Sequence, residues 1–187
     1  MNAPVIKTPV AKPLRLIIVD DSASDAELLA RALRHAGFDP QWTRVQEASD
    51  FQALLQPGLD VILADYNLPR FDARQVIKVV RDQHLDIPVI VVSGHMGEEA
   101  AIQLLHDGAA DYLLKDRLER LGAAIERAME EAHIRREARR MEEELRRSQE
   151  RYQALADNSL LGIAVMDTNY RIISVNATFA TMFRKQA

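Results

Sequence analysis

The chain predicts an α/β fold built on a parallel sheet, and three observations carry that expectation. Short apolar runs recur from Leu14 onward: LRLIIVD to Asp20, DVILAD to Asp65, PVIVVS to Ser93 and DYLLK to Lys115. Runs of this length with no polar alternation suit strands buried on both faces. Segments with a helical apolar period lie between them, joined by short loops. Such alternation predicts parallel strands with right-handed crossovers.

From the N-terminus, Leu14 to Asp20 is the first strand. Asp25 to His35 is helical, with Leu28, Leu29, Ala32 and Leu33 on one face and Gly37 at its C-terminal stop. Trp42 to Val45 is a short second strand. Ser49 to Leu55 is a weak helix closed by Pro57-Gly58. Asp60 to Ala64 is the third strand, Asp72 to Arg81 the next helix, and Pro88 to Val92 the fourth strand. Glu98 to His106 is helical and stops at Gly108. Asp111 to Leu114 is the fifth strand.

Composition narrows the classes. The chain has 187 residues, 48% of them apolar, enough for a folded domain with a substantial extension. It has no cysteine, which excludes disulfides, thiol chemistry and most structural zinc sites. A net charge of -4 gives no global attraction to nucleic acid or an anionic membrane, and neither is expected as a partner. No apolar stretch is long enough to span a bilayer. Met1 to Pro13 lacks the apolar core of a secretory signal and reads as a flexible leader. These features fit a cytoplasmic protein.

Beyond Leu118 the character changes. Up to Ala156 there is no proline and no glycine beyond Gly122, and Arg and Glu dominate. Leu118, Leu121, Ile125, Ala128 and Ala132 keep a 3-4 spacing. Ile134, Ala138, Met141, Leu145, Ser148, Tyr152 and Leu155 keep it too, in a shifted register. The pattern suits a coiled coil with a slip near Ala132; a single solvated helix held by Glu/Arg pairs is the other reading. In the tail, Gly162 to Met166 and Arg171 to Val175 read as a hairpin around Asp167-Thr168-Asn169. Asn176 to Phe183 reads as the start of a helix.

The strand ends carry the chemistry. In an open α/β sheet, ligands bind outside the carboxyl ends of the strands. Asp20, Asp21, Asp65, Ser93 and Lys115 all fall there. Adjacent carboxylates repel each other and persist around a cation or in water. Mg²⁺ takes such oxygen ligands together with phosphate oxygens. An aspartate in this setting can attack phosphorus, and an ammonium can neutralise the charge that develops. The five histidines are scattered, with no Ser/His/Asp arrangement. Trp42 suits packing, and Tyr112 on its own suits a half-buried strand position.

At these residues the sequence resembles the receiver domain of two-component response regulators, over Leu14 to Ala132. The resemblance implies a flavodoxin-like, doubly wound, five-stranded parallel sheet of order 2-1-3-4-5 with an extended C-terminal helix. It implies Asp65 in LADYNLP as phosphoacceptor, Lys115 and Ser93 as catalytic partners, and Ser93 and Tyr112 as a switch pair. It implies a Mg²⁺ site of Asp20, Asp21, Asp65 and the backbone carbonyl of Asn67. Asp116 stands where the family has proline, and Phe71-Asp72-Ala73 stands where it has Met-Asp-Gly. The tail RYQALADNSLLGIAVMDTNYRIISVNATFATMF resembles the opening of a PAS domain.

The expected organisation is therefore a leader (1–13), a receiver (14–132), a helical coiled-coil linker (133–156) and a truncated PAS-like segment (157–187), with an output domain beyond residue 187. The expected function is a phosphoacceptor switch served by a histidine kinase or phosphotransfer protein. It would pair as a homodimer through the C-terminal helix and turn over only by slow autodephosphorylation. Two alternatives stand beside it. One is a constitutive coiled-coil dimerisation module. The other is a haloacid-dehalogenase-type phosphatase, which calls for a second aspartate where Asn67 stands.

Overall fold

The computed structural model of the chain describes residues 11–95 and 97–184. Two compact units divide it, one ending at Arg135 and the other beginning at Arg136.

The first unit is the predicted α/β fold. Its strands are β1 (Lys12–Val19), β2 (Phe38–Val45), β3 (Val61–Asp65), β4 (Val89–Ser93) and β5 (Asp111–Leu114). All neighbouring pairs run parallel, in the order β2-β1-β3-β4-β5. The helices are α1 (Ala23–His35), α2 (Ala48–Leu54), α3 (Ala73–Asp82), α4 (Glu98–Asp107) and the first part of α5 (Leu121–Asp157), which follows a 3-10 turn at Leu118–Arg120 and continues past Arg135 into the second unit.

Strand alternation sorts the core into two layers. Ile17, Val19, Ile62, Ala64, Val89 and Val91 face Phe51 of α2, Val76 and Ile77 of α3, and Leu104 of α4. Leu16, Ile18, Val61, Leu63, Ile90 and Val92 face Leu29 and Leu33 of α1 and Leu121, Ile125 and Ala128 of α5. Burial on both faces explains why the runs carry no polar alternation, and each buried Val, Leu, Ile or Phe contributes about 1.5–3 kcal/mol.

Local chemistry sets the helix boundaries. Ser22 caps α1, its Oγ accepting from the Asp25 N–H. Asp72 and Gln75 form a reciprocal capping box on α3. Gly108 closes α4 at φ +113°, where an L side chain is strained. Gly122 lets α5 approach the end of α1, since a Cβ there would lie 2.5 Å from the Ala36 Cβ.

Some boundaries differ from the sequence expectation. β1 begins at Lys12 because its pairing with β2 begins at Lys12 and Phe38. The expected leader thus loses Lys12 and Pro13 to a strand, while residues 1–10 lie outside the described residues. β2 starts at Phe38 and runs through Pro40. A sheet edge tolerates proline because no second neighbour needs its missing N–H. Ala132 is the last residue of α5 buried in the core.

In the second unit, β6 (Ala164–Met166) and β7 (Ile172–Val175) form an antiparallel hairpin, with α6 (Ala177–Arg184) after it. Buried Asn176 organises it. Its Nδ2 donates to the carbonyls of Ala156 at 2.7 Å and Leu161 at 2.9 Å. Its Oδ1 accepts from the N–H of Ile163 at 2.8 Å and of Phe179 at 2.9 Å.

Candidate functional site

The order β2-β1-β3-β4-β5 places the chain reversal between β1 and β3, and ligands of such sheets bind at the carboxyl ends of the strands there. Val19 is in register with Ala64, so Asp20 comes directly after β1 just as Asp65 closes β3 beside it. The Lys115 N–H donates to the Ser93 carbonyl at 2.8 Å, fixing where the lysine leaves β5.

Lys115 reaches across the rim. Its Nζ donates to Asp25 Oδ2 at 2.6 Å, to Asp65 Oδ2 at 2.9 Å and to Asp20 Oδ2 at 3.1 Å. An ammonium has three N–H donors, so every one is engaged by a carboxylate. The three acids place oxygen atoms within 4.8 Å of one another, the only such acidic group among the described residues. The Asp20 residue is 1% exposed, whereas the side chains of Asp65 and Asp25 are 12% and 36% exposed. The Asp65 carboxylate is therefore reachable from solvent while Asp20 is walled in.

The electrostatics reflect that placement. Burial pushes Asp20 above its ordinary value, against the Ser22 N–H and Lys115, which favour the charged form. The hydrogen bond from Lys115 holds Asp25 below the usual carboxylate range. Burial opposes the charge on Lys115, but hydrogen bonds to Asp25, Asp65 and Asp20 outweigh it and raise its pKa.

The remaining predicted site residues lie at varying depth. Ser93 is fully buried at the end of β4; its hydroxyl donates to the His95 carbonyl at 2.9 Å. Asn67 lies just past β3, and its N–H donates to Asp65 Oδ1 at 3.3 Å. Tyr112 is partly exposed on β5. Asp21 is exposed and lies outside the tight acidic group; Arg44 donates to its backbone carbonyl and to that of Asp20, each at 3.1 Å. The Lys115–Asp116 peptide, where the family has a proline, is trans.

Two residues of the rim escape a reading of the sequence. Asp25 reads only as the start of α1, and an acid in a first helical turn is common because the helix dipole favours it. Its one signal is its position, five residues beyond Asp20. Arg44 carries no local signal at all, since it acts across the sheet from β2.

The oxygen donors at this rim suit a hard divalent cation. Asp20, Asp25 and Asp65 are the carboxylates close enough together to share one, and Asp21 lies outside that group.

Comparisons with known proteins assign the fold to a family. The family model of the response regulator receiver domain matches residues 16–126, and that of a PAS domain matches residues 150–186. The DNA-binding transcriptional regulator NtrC of Escherichia coli (strain K12) is 34% identical over 113 residues, covering 60% of this chain and 24% of that protein. The nitrogen assimilation regulatory protein NtrX of Azorhizobium caulinodans is 28% identical over 130 residues, covering 68% of this chain and 29% of that protein. The chain thus spans less than a third of the length of these relatives. Among solved structures, the signal receiver domain of the putative response regulator NarL from Mycobacterium tuberculosis is 30% identical with a TM-score of 0.54. That match covers 63% of this chain and 97% of that one. A sensor protein from Polaromonas sp. JS666 is 25% identical with a TM-score of 0.55, covering 64% of this chain and 98% of that one. With strand order, rim chemistry and a family match over more than half its length, the chain belongs to the response regulator receiver domain family.

Proposed function

We propose that the chain is a phosphoacceptor switch whose Asp65 takes a phosphoryl group from a histidine kinase or phosphotransfer protein. The observation that carries this reading is the 2.9 Å contact between Lys115 Nζ and Asp65 Oδ2 at a solvent-reachable rim. An Asp65 oxygen attacks phosphorus, and the bond from phosphorus to the donor's imidazole nitrogen breaks. That nitrogen keeps the electron pair and later takes a proton; Asp65 becomes an acyl phosphate. Lys115 pairs with the equatorial oxygens as their charge spreads. By the family resemblance Asp20, Asp21, Asp65 and the Asn67 carbonyl would hold Mg²⁺, while Asp25 engages Lys115. When bound, the ion neutralises charge on the phosphoryl oxygens.

Ser93 then exchanges the His95 carbonyl for a phosphoryl oxygen, and Tyr112 turns inward with it. A few kcal/mol of differential contact is enough to reset such a two-state element. α5 relays the change toward the C-terminal unit and an output domain, and the protein acts in the cytoplasm without nucleic acid or membrane as partner. The only turnover is slow hydrolysis of the acyl phosphate.

The test is incubation with acetyl phosphate and Mg²⁺, then measurement of intact mass. One added phosphoryl group is expected on the native chain and none on Asp65→Asn. An adduct that survives Asp65→Asn removes the reading.

A second reading rests on a different observation. Ile134, Met141, Leu145, Tyr152 and Leu155 are all exposed along α5, and a seam of this spacing suits a homodimeric coiled coil. If that pairing is constitutive, phosphorylation matters little. Light scattering separates the two readings: a dimer indifferent to phosphorylation supports the second, and a monomer excludes it.

A further inference from the structure

We propose that Asp25 is a positioning residue that holds Lys115 away from the incoming phosphoryl group and so slows phosphorylation of Asp65. The inference rests on the reading of Asp65 as phosphoacceptor.

Three observations lead to it. Lys115 has no donor to spare, because its three N–H groups serve Asp25, Asp65 and Asp20. The shortest of these contacts, 2.6 Å, is to Asp25. The Asp25 backbone is fixed, since its N–H donates to Ser22 Oγ in the cap of α1. The carboxylate is thus anchored to a helix start within reach of the lysine.

Transfer to Asp65 places three charged equatorial oxygens where Lys115 must serve them. One existing partner has to let go. Asp65 is the nucleophile. Releasing Asp20, at 1% exposure, would leave a buried carboxylate unpaired, which is costly. Asp25, with its side chain 36% exposed, can be released into water cheaply. Its charge also repels an anionic donor approaching the rim. An acid serving only the dipole of α1 would affect helix stability and leave the transfer rate alone.

The experiment compares Asp25→Ala, Asp25→Asn and Asp25→Glu with the native chain. Acetyl phosphate and Mg²⁺ serve as the probe, the rate of adduct formation is read by intact mass, and thermal unfolding confirms that each variant is folded. Both neutral variants are expected to react about threefold to tenfold faster, as removal of one nearby like charge implies. Asp25→Glu is expected to stay near the native rate. The gain is expected to shrink with phosphoramidate, which brings less negative charge to the rim. Asn keeps the side-chain shape, so the test survives if Ala unfolds. An unchanged or slower rate in the neutral variants, on a background where the native chain is phosphorylated, overturns the role of Asp25 alone. No adduct on the native chain overturns the phosphoacceptor reading and this inference with it.

Discussion

The two units use similar residue types to different ends. In the first, Phe51, Leu63, Phe71, Ile90 and Leu104 are fully or nearly fully buried between sheet and helices. In the second, Met141, Leu145, Leu160 and Ile173 are exposed, Leu160 at 92%. Both stretches carry regular apolar periodicity. The difference lies in the surface available for that period to pack against. Five parallel strands offer two faces, and helices cover both. The end of α5, a two-stranded hairpin and one short helix leave these side chains without a covering surface. Periodicity therefore predicts an element, while closure needs long-range pairing.

The sharpest way to break this comparison is to open the first core. Phe51 is fully buried and meets Phe71 with ring centroids 5.3 Å apart. Phe51→Ala is expected to cost about 3–5 kcal/mol of unfolding free energy, from lost transfer energy plus the cavity left behind. Urea unfolding monitored by circular dichroism measures it. A loss below about 1 kcal/mol would mean that this layer is not the closed core its burial implies.

Most of the first unit was legible because its signals are local. The runs ending at Asp20, Asp65, Ser93 and Lys115 mark strand ends directly, and a strand end in a parallel sheet is already a site position. The residues that escaped depend on contacts between distant parts of the chain. Arg44 reaches the backbone of Asp20 and Asp21 only because β2 lies beside β1. Asp25 looks like any helix-start acid until β5 brings Lys115 over it. Asp21, adjacent to Asp20 in sequence, is turned out of the tight group because successive residues near a strand end point to different sides. The length of β2 escaped for another reason: Pro40 reads as a stop unless the strand is known to lie at an edge.

A smaller effect is expected at the polar centre of the first unit. Lys115→Met leaves Asp20 buried without its cation and Asp65 beside it. Asp25 and Asp65 can turn to water, so the cost at neutral pH is mainly that of the unsatisfied Asp20 carboxylate, about 1–3 kcal/mol. The pH dependence has a definite sign. Lys115 has its pKa raised above 10.5 in the fold, so its stabilising contribution is full below pH 10.5 and is lost as pH rises through the higher folded value. Asp25 has its pKa lowered below 3.8, so its share is present above pH 3.8 and is lost as pH falls through the folded value. The stability gap between native and variant is therefore expected to be level across the neutral range and to narrow at both extremes. Urea midpoints at several pH values trace it. A gap that grows in alkali would contradict a lysine held charged by three acids.

The smallest effect is expected where an apolar side chain has nothing over it. Leu145 is 60% exposed on α5. Leu145→Ala in a solvated helix is expected to shift unfolding free energy by less than about 0.5 kcal/mol, at every protein concentration. If the seam of Met141, Leu145 and Tyr152 closes against a second copy, the same substitution removes buried area from the pair, and its cost grows with concentration because association is linked to folding. Thermal unfolding of native and variant over a hundredfold range of protein concentration distinguishes these outcomes. A concentration-dependent loss would transfer the second unit's stripe from surface to core and would assign the missing surface to the partner chain. A flat, small loss would leave the exposed stripe as the property that separates the second unit from the first.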